Sequence, residues 1–346
     1  MSHASAVLVP ALLAVAVNRD GAALVRAYLT GLQAQAFIGE AIGYQHYTAG
    51  WHGTSTIGCI GSAAGVAALQ GQDAMGIART LSIAVSLASG VKGHFGTSLK
   101  PFHAGMAARN AVDAATLAQT GMQGRMDIIE CAQGFAELYA GTLSQPSLPD
   151  TNGHVIERIG MMPKKHPCCG STHRILDAIA DIQQQQGLQA EDIESVHCQV
   201  DIANWRNLAY TQPQDEMQAR FSMQYCVAVM LKKGALSVSD FTAEAVQQQT
   251  KAAQLTSITL SPWTVVQEAE NVDLPHILTL RLKDGREIVH SRLRARGTLD
   301  EPFSEQERQA KFRDCCANMP RNADLYQKLM ALEQQVDIEF LRQLMI

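Results

Sequence analysis

Residues 54–69 contain the run GCIGSAAGVAAL, small and apolar on nearly every face. Such a helix has no side to offer to water. With few bulky side chains its backbone must approach its neighbours closely, so it belongs inside a bundle. The flanking sequence supplies those neighbours. Ala23, Val25, Tyr28, Leu29, Leu32, Phe37, Ile38 and Ile42 recur mostly at helical spacing, and residues 73–86, 104–119 and 126–139 continue the pattern between short glycine-containing breaks. Residues 6–17 are apolar but carry Pro10 and follow no basic segment. They are too short to cross a bilayer and read as a buried helix, not a signal. The first 140 residues therefore predict an all-α domain.

The pattern changes after residues 144–153, SQPSLPDTNG, a turn-rich linker. Residues 193–202 and 257–260 alternate as strands do. Residues 276–282 and 287–293 flank Lys283-Asp284-Gly285-Arg286, a hairpin turn signal. Helical stretches at 171–186 and 216–233 accompany them. The expected fold class is mainly α with an α+β second domain: a helical domain at 1–144, an α+β lid domain at 154–296, and C-terminal helices at 300–346 returning to the helical domain. A length of 346 residues allows two domains or three. No internal repeat or low-complexity tract is evident.

Apolar residues make up 47% and charged residues 18%, a globular balance, and the formal charge of -5 gives no support for nucleic-acid binding by bulk attraction. An acidic chain can still hold an anion if it gathers its cations in one cleft. The eight cysteines form no CxxC and include two adjacent pairs, Cys168-Cys169 and Cys315-Cys316, a usage typical of reduced intracellular thiols. A soluble, cytoplasmic protein is expected, with no membrane partner.

Three stretches combine glycine, hydroxyl residues and cations. In the first, residues 47–58, His52 precedes Thr54 and Ser55, either of which can cap the next helix and leave free N–H groups for an anion. A surface histidine beside an ordinary cap is the plainer alternative. In the second, residues 93–105, Pro101 biases Lys100 toward extended geometry. A helix is therefore not expected to run through the pair, and His103 falls near the next helix start. Lys100 and His103 then share a loop and can meet one ligand, unless the lysine is merely solvated and the histidine merely packed. In the third, residues 162–173, Cys168, Cys169 and His173 invite a zinc reading. Adjacent cysteines are poor tetrahedral ligands and no HExxH is present, so no metal is expected. A thiol nucleophile would need a base the sequence does not reveal. Both cysteines read better as small packing groups, with Lys164 toward a cleft and Lys165 either beside it or in solvent.

Together these stretches resemble the MmgE/PrpD family, which includes 2-methylcitrate dehydratases, cis-aconitate decarboxylases and iminodisuccinate epimerases. The resemblance rests on Trp51 to Gly58 (aromatic-His-x-T/P-S/T-x-x-G), Thr97 to Gly105 (TxxKPxHAG-like) and Lys164 to His173 (KxxPCCGSTH), in order and at matching wide spacing. Weaker echoes occur at ARFSMQY, from Ala219, and at AKFRD, from Ala310. It implies a large helical domain with a smaller α+β domain over it, a cleft between them, a homodimer and no cofactor. Functional positions carried over are His3, His52, Lys100 and Lys164. Relatives generally also have an upstream segment with an Asp-x-Asp-Asp stretch; the sequence here starts at Met1-Ser2-His3.

The implied activity is a lyase acting on a small di- or tricarboxylate by dehydration or decarboxylation. Lys100 and Lys164 would clamp carboxylates and stabilise developing charge, an effect worth on the order of 3 kcal/mol per group. His52 is the first choice for proton transfer, with His103 or His3 as second acid/base; neighbouring cations should hold them neutral. Ser55, Thr97 and Lys165 are expected to touch substrate. An epimerase on an iminodisuccinate-like acid is the runner-up, and a non-catalytic carboxylate-binding or scaffold protein the third reading.

Overall fold

The structure, a computed structural model, describes residues 2–140, 153–252, 255–271, 273–319 and 324–342. It divides into two units. One comprises residues 2–140, 153–159 and 324–342, and the other residues 160–319. Of the tail expected to return to the helical domain, 324–342 clusters with the first unit and 305–315 with the second. Most of the expected linker at 144–153 lies outside the described residues.

The first unit contains α1 (Ala4–Val15), α2 (Gly21–Ile42), α3 (Thr56–Leu69), α4 (Ala74–Leu87), α5 (Leu99–Gln119) and the short α6 (Phe135–Ala140). α3 is buried along all its residues but Ala68, and α1, α2, α4 and α5 pack around it. Glycines set the closeness of that packing. A Cβ on Gly61 would lie 2.6 Å from the Gln35 backbone nitrogen, and one on Gly65 would lie 2.8 Å from the Ala27 carbonyl oxygen. Asp20 and Asp73 cap α2 and α4 by accepting from Ala23 N and Gly76 N.

Two local expectations fail here. The stretch 126–139 is helical only in α6; before it the chain makes turns, with Gln133 at φ 61° and Gly134 wedged so that a Cβ would meet the Ile128 carbonyl oxygen at 2.3 Å. α5 does run through Lys100 and Pro101, starting at Leu99. Pro101 is the third helical residue, within the first turn, where its missing N–H has no intrahelical partner to lose.

In the second unit α7 (His173–Gln186) leads through a short 3-10 turn into β1 (Ile193–Val200). α8 (Met223–Lys233) follows, then β2 (Ile258–Pro262), β3 (His276–Leu282), β4 (Glu287–Arg292) and α9 (Glu305–Cys315). The expected helix over 216–233 is broken at Arg220–Ser222, and Ser222 caps α8 by accepting from Tyr225 N at 3.1 Å. The sheet order is β2-β1-β3-β4. β1 and β2 pair in parallel, which their long crossover through α8 permits, and the other pairs are antiparallel. Val196 faces Leu280 and Cys198 faces Leu278 across β1–β3. These residues form one apolar face, which joins Ile175, Leu176 and Ile179 of α7 and Cys226, Val227 and Met230 of α8 in a single core. Full burial of each large side chain contributes about 1.5–3 kcal/mol. The predicted hairpin forms, with Gly285 at φ 87° in the turn.

The glycine packing is testable. Gly61→Ala drives a methyl into the α2 backbone and should destabilise the protein by about 2 kcal/mol or more in chemical denaturation. Gly105→Ala, on α5 where a Cβ meets nothing within 4 Å, should stabilise it by about 0.5–1 kcal/mol.

Candidate active site

The first two sequence stretches are knit together by backbone pairing. Trp51 and Val91 form an antiparallel bridge, His52 N donates to Gly90 O at 3.0 Å, and Lys92 N donates to Gly50 O at 2.8 Å. Gly90 has φ 117°, and a Cβ there would lie 2.8 Å from Ser55 Oγ and 3.3 Å from His103 Nδ1. Only a bare backbone passes between those groups. Behind the loop, His46 is buried between Thr56 Oγ1 at 2.7 Å and the Tyr139 carbonyl at 3.0 Å. Trp51 stacks on Tyr139 with ring centroids 4.3 Å apart, so the segment carrying His52 is fixed on its inner side.

The helix caps differ from expectation. Neither Thr54 nor Ser55 caps α3 with its side chain. Thr54 Oγ1 accepts from the His3 backbone N at 3.0 Å and is hydrogen-bonded to His3 Nδ1 at 2.8 Å. Ser55 Oγ donates to the His103 carbonyl at 3.3 Å, tying α3 to α5. Both hydroxyls thus hold histidine-bearing segments in place.

His52 and His103 meet directly, Nδ1 to Nδ1, at 3.2 Å. One nitrogen must carry the proton and the other accept it. His52 is 3% exposed and its Nε2 has no hydrogen-bond partner. Phe95 packs its ring against His52 at 5.0 Å, and Lys100 Nζ sits 4.9 Å from the centre of that phenyl ring. His94 stands edge-on to His103 with centroids 5.6 Å apart. Burial is the main reason the His52 imidazole is pushed down to about 3, reinforced by Lys100, His103 and Lys92. His103 is lowered too, by burial first and then by His94 and Lys100. The sequence anticipated the neutral form through cations; burial is the larger cause. Thr97, expected to touch substrate, donates to the His94 carbonyl at 2.8 Å and accepts from Leu99 N at 3.3 Å.

Lys164 and Lys165 belong to the second unit. Lys164 Nζ donates to the Cys168 carbonyl at 3.1 Å. Lys165 pairs with Asp177 at 3.5 Å and Glu307 at 3.9 Å, and His166 Nε2 lies 3.2 Å from Asp177. Cys168 is buried in the core with its Sγ 3.1 Å from Thr172 Oγ1, and Cys169 packs against that core. Among the described residues no three His, Cys, Asp or Glu side chains are grouped to hold a metal ion. Sequence reasoning missed Lys92 and His94 as members of the histidine cluster. His94 stood within the second stretch, but nothing in its spacing distinguished it from a loop histidine.

A family model of the MmgE/PrpD N-terminal domain matches residues 1–146, and one of the MmgE/PrpD C-terminal domain matches residues 166–334. The chain belongs to the MmgE/PrpD family. Among its relatives, the cis-aconitate decarboxylase of Mus musculus is 26% identical over 298 residues, 84% of this chain and 60% of the relative. That of Homo sapiens is 27% identical over 337 residues, 92% of this chain and 68% of the relative. The Aspergillus terreus enzyme of the same name is 24% identical, with 69% and 54% covered. The chain thus spans only part of each relative's length. The MmgE/PrpD fold, a large helical domain with a smaller α+β domain, accounts for both units described above. No described helix is long and apolar enough to cross a membrane.

The depressed affinity of His52 for protons makes a stability prediction. The folded state keeps this imidazole neutral while the unfolded chain protonates it near the ordinary 6.5. Its contribution is therefore complete above pH 6.5 and is lost as the pH falls toward 3, at up to about 1.4 kcal/mol per pH unit. Urea denaturation of His52→Asn between about pH 4 and 6 should show a shallower acid loss than the unaltered protein.

Proposed function

We propose that this protein is a lyase acting on a small di- or tricarboxylate, eliminating water or carbon dioxide through proton transfer at His52 and His103 with Lys100 as carboxylate clamp. The observation that carries the reading is electrostatic. The permanent charges acting on the hydrogen-bonded histidine pair are positive: Lys92 and Lys100. A polyanion entering that field finds an attraction built in advance. Its own charge offsets the cationic contribution that, after burial, opposes protonation of the imidazoles, so they become better bases when substrate is present.

In a dehydration, one imidazole takes the proton from the carbon beside a carboxylate. The electron pair moves through the enediolate-like carboxylate held by lysine, and hydroxide leaves with a proton from an imidazolium. In a decarboxylation, the C–C bond breaks, its electron pair is held in the same way, and an imidazolium delivers the proton to carbon as carbon dioxide departs. His52 is assigned the proton transfer and His103 the partnering role. His3, oriented by Thr54, is a further acid/base candidate, and Ser55 shapes the site through its bond to His103. Lys164 is kept as a carboxylate-binding candidate on the family resemblance; within its own unit its Nζ donates to the Cys168 carbonyl. Thr97 and Lys165, each held by local partners, are assigned to loop shape instead of substrate contact.

Epimerisation is the second reading, favoured by the presence of two acid/base groups. It calls for bases on opposite faces of one carbon, whereas rings in mutual hydrogen bond approach from one side, and elimination is therefore preferred.

A screen of di- and tricarboxylates in deuterated water separates these readings. A new conjugated alkene absorbing in the ultraviolet, or release of carbon dioxide, supports the lyase. Deuterium incorporation with neither supports the epimerase. Thermal stabilisation by such acids without either would point to a binding protein and end the catalytic proposal. With the active acid in hand, His52→Asn should lower kcat on the order of a hundredfold or more with little change in KM. Lys100→Met should lower kcat/KM by about a hundredfold. Unchanged turnover in His52→Asn would remove that residue from the chemistry.

A further inference from the structure

Three cysteines of the second unit gather at the Ala219-Arg220 step, where the helical stretch before α8 breaks. Arg220 makes two bonds to the corner Pro167-Cys168-Cys169. Its guanidinium donates to the Pro167 carbonyl at 3.0 Å, and its own carbonyl accepts from Cys169 N at 2.9 Å. Cys168 is the residue held between those two anchors. The Ala219 carbonyl, 3.6 Å from Cys226 Sγ, brings α8 to the same corner. The Cys226 thiol thus has two acceptors in reach, that carbonyl and the Cys168 sulfur. Cys168 is buried, but Pro167 and Cys169 on either side of it are half-buried, so the corner lies close to the surface of its unit.

Cys168 differs from other buried thiols of the chain. Burial pushes the Cys59 and Cys198 thiols up to about 12, where sulfur is inert. The Cys168 sulfur has polar company: Thr172 Oγ1 at 3.1 Å, the Cys226 thiol, and the His173 ring, whose nitrogens are buried and outside hydrogen-bond geometry. Behind that ring His166 stands edge-on at 5.2 Å and faces Asp177 through Nε2. Burial by itself raises the Cys168 thiol. The Cys226 and His173 contacts more than reverse that, leaving it well below the ordinary thiol value. Cys226 moves the other way, raised by burial first and then by Cys168. One sulfur of the pair is poised to attack while the other keeps its proton.

We propose that Cys168 and Cys226 form an oxidisable dithiol, a modification site for peroxides in which Cys168 attacks and Cys226 resolves. Hydrogen peroxide, close to water in size, is the oxidant that a corner walled in this way admits. The Cys168 thiolate attacks one peroxide oxygen. An S–O bond forms, the O–O bond breaks, and the departing hydroxide takes up the proton that Cys168 gave away. The Cys226 sulfur then attacks the sulfenic sulfur. The S–S bond forms, the S–O bond breaks, and hydroxide leaves with the Cys226 proton as water. Two thiols are oxidised by two electrons, and one peroxide is reduced to two waters. None of this depends on the lyase reading.

The test treats the reduced protein with hydrogen peroxide in the absence of denaturant, quenches in acid, alkylates, and maps peptides by mass spectrometry before and after dithiothreitol. A Cys168–Cys226 cross-linked peptide should appear, two hydrogens lighter than its parts and removed by dithiothreitol. It should form about tenfold or more faster than Cys59 or Cys198 oxidises. In Cys169→Ser the link should persist, since the half-buried neighbour is not the reacting sulfur. In Cys226→Ser, which lacks the resolving thiol, Cys168 should stop as a sulfenic acid that dimedone traps. Cys168 and Cys226 still reduced when Cys59 and Cys198 have reacted, or loss of the link in Cys169→Ser, overturns the proposal. Should Cys226→Ser fail to fold, the unaltered protein decides by the presence or absence of the linked peptide.

Discussion

The burial of α3 is the constraint from which the rest of the helical unit follows. A helix withdrawn from water on all sides can be built only from residues that need no water and leave room for four neighbours, and Gly58, Gly61, Ala63, Ala64, Gly65 and Ala67 meet both needs. Close approach at Gly61 and Gly65 fixes α2, and α5 lies along the same core helix. Because His52 precedes α3 and His103 rides on α5, this packing sets the distance between the two rings. The histidine pair is thus positioned by rigid elements, with Ser55 and the Gly90 crossing as local stays.

The two units use histidine in opposite ways. In the second, His166 Nε2 faces Asp177 and His276 Nε2 faces Asp201, carboxylates within the protein. Lys165 joins the first of these pairs. Such groups hold structure together. In the first unit the charges acting on His52 and His103 are positive, and the pair bonds to itself. These cations oppose protonation of the two imidazoles, and a polyanion would be drawn to the same place. The asymmetry separates the candidate site from the structural histidines more sharply than motif spacing does.

The same asymmetry bears on the third sequence stretch. Its Cys and His invited a zinc reading, set aside for packing cysteines with Lys164 toward a cleft. In the fold, Asp177 draws Lys165 and His166 together, and Cys168 becomes core. Asp177 lies eleven residues beyond His166, on α7, and no local pattern announces that its carboxylate turns back toward them.

Sequence alone determined the fold class, because the lack of a polar face in residues 54–69 and the alternation in the strands are local properties of side chains. It also determined His52, Lys100 and His103 as candidates, since their motifs are contiguous. Helix limits near Pro101 escaped it, because a proline in the first helical turn gives up no hydrogen bond, so its usual signal inverts. The stretch before Phe135 escaped it because Gly134 is needed for a close backbone contact that only the folded chain makes. Tertiary structure alone decided that His52 bonds to His103, that His94 stands behind them, and that Thr54 and Ser55 brace histidines instead of capping a helix. Each of these is a meeting of side chains distant in sequence, and their distances come from how closely the helices pack, which no single segment encodes.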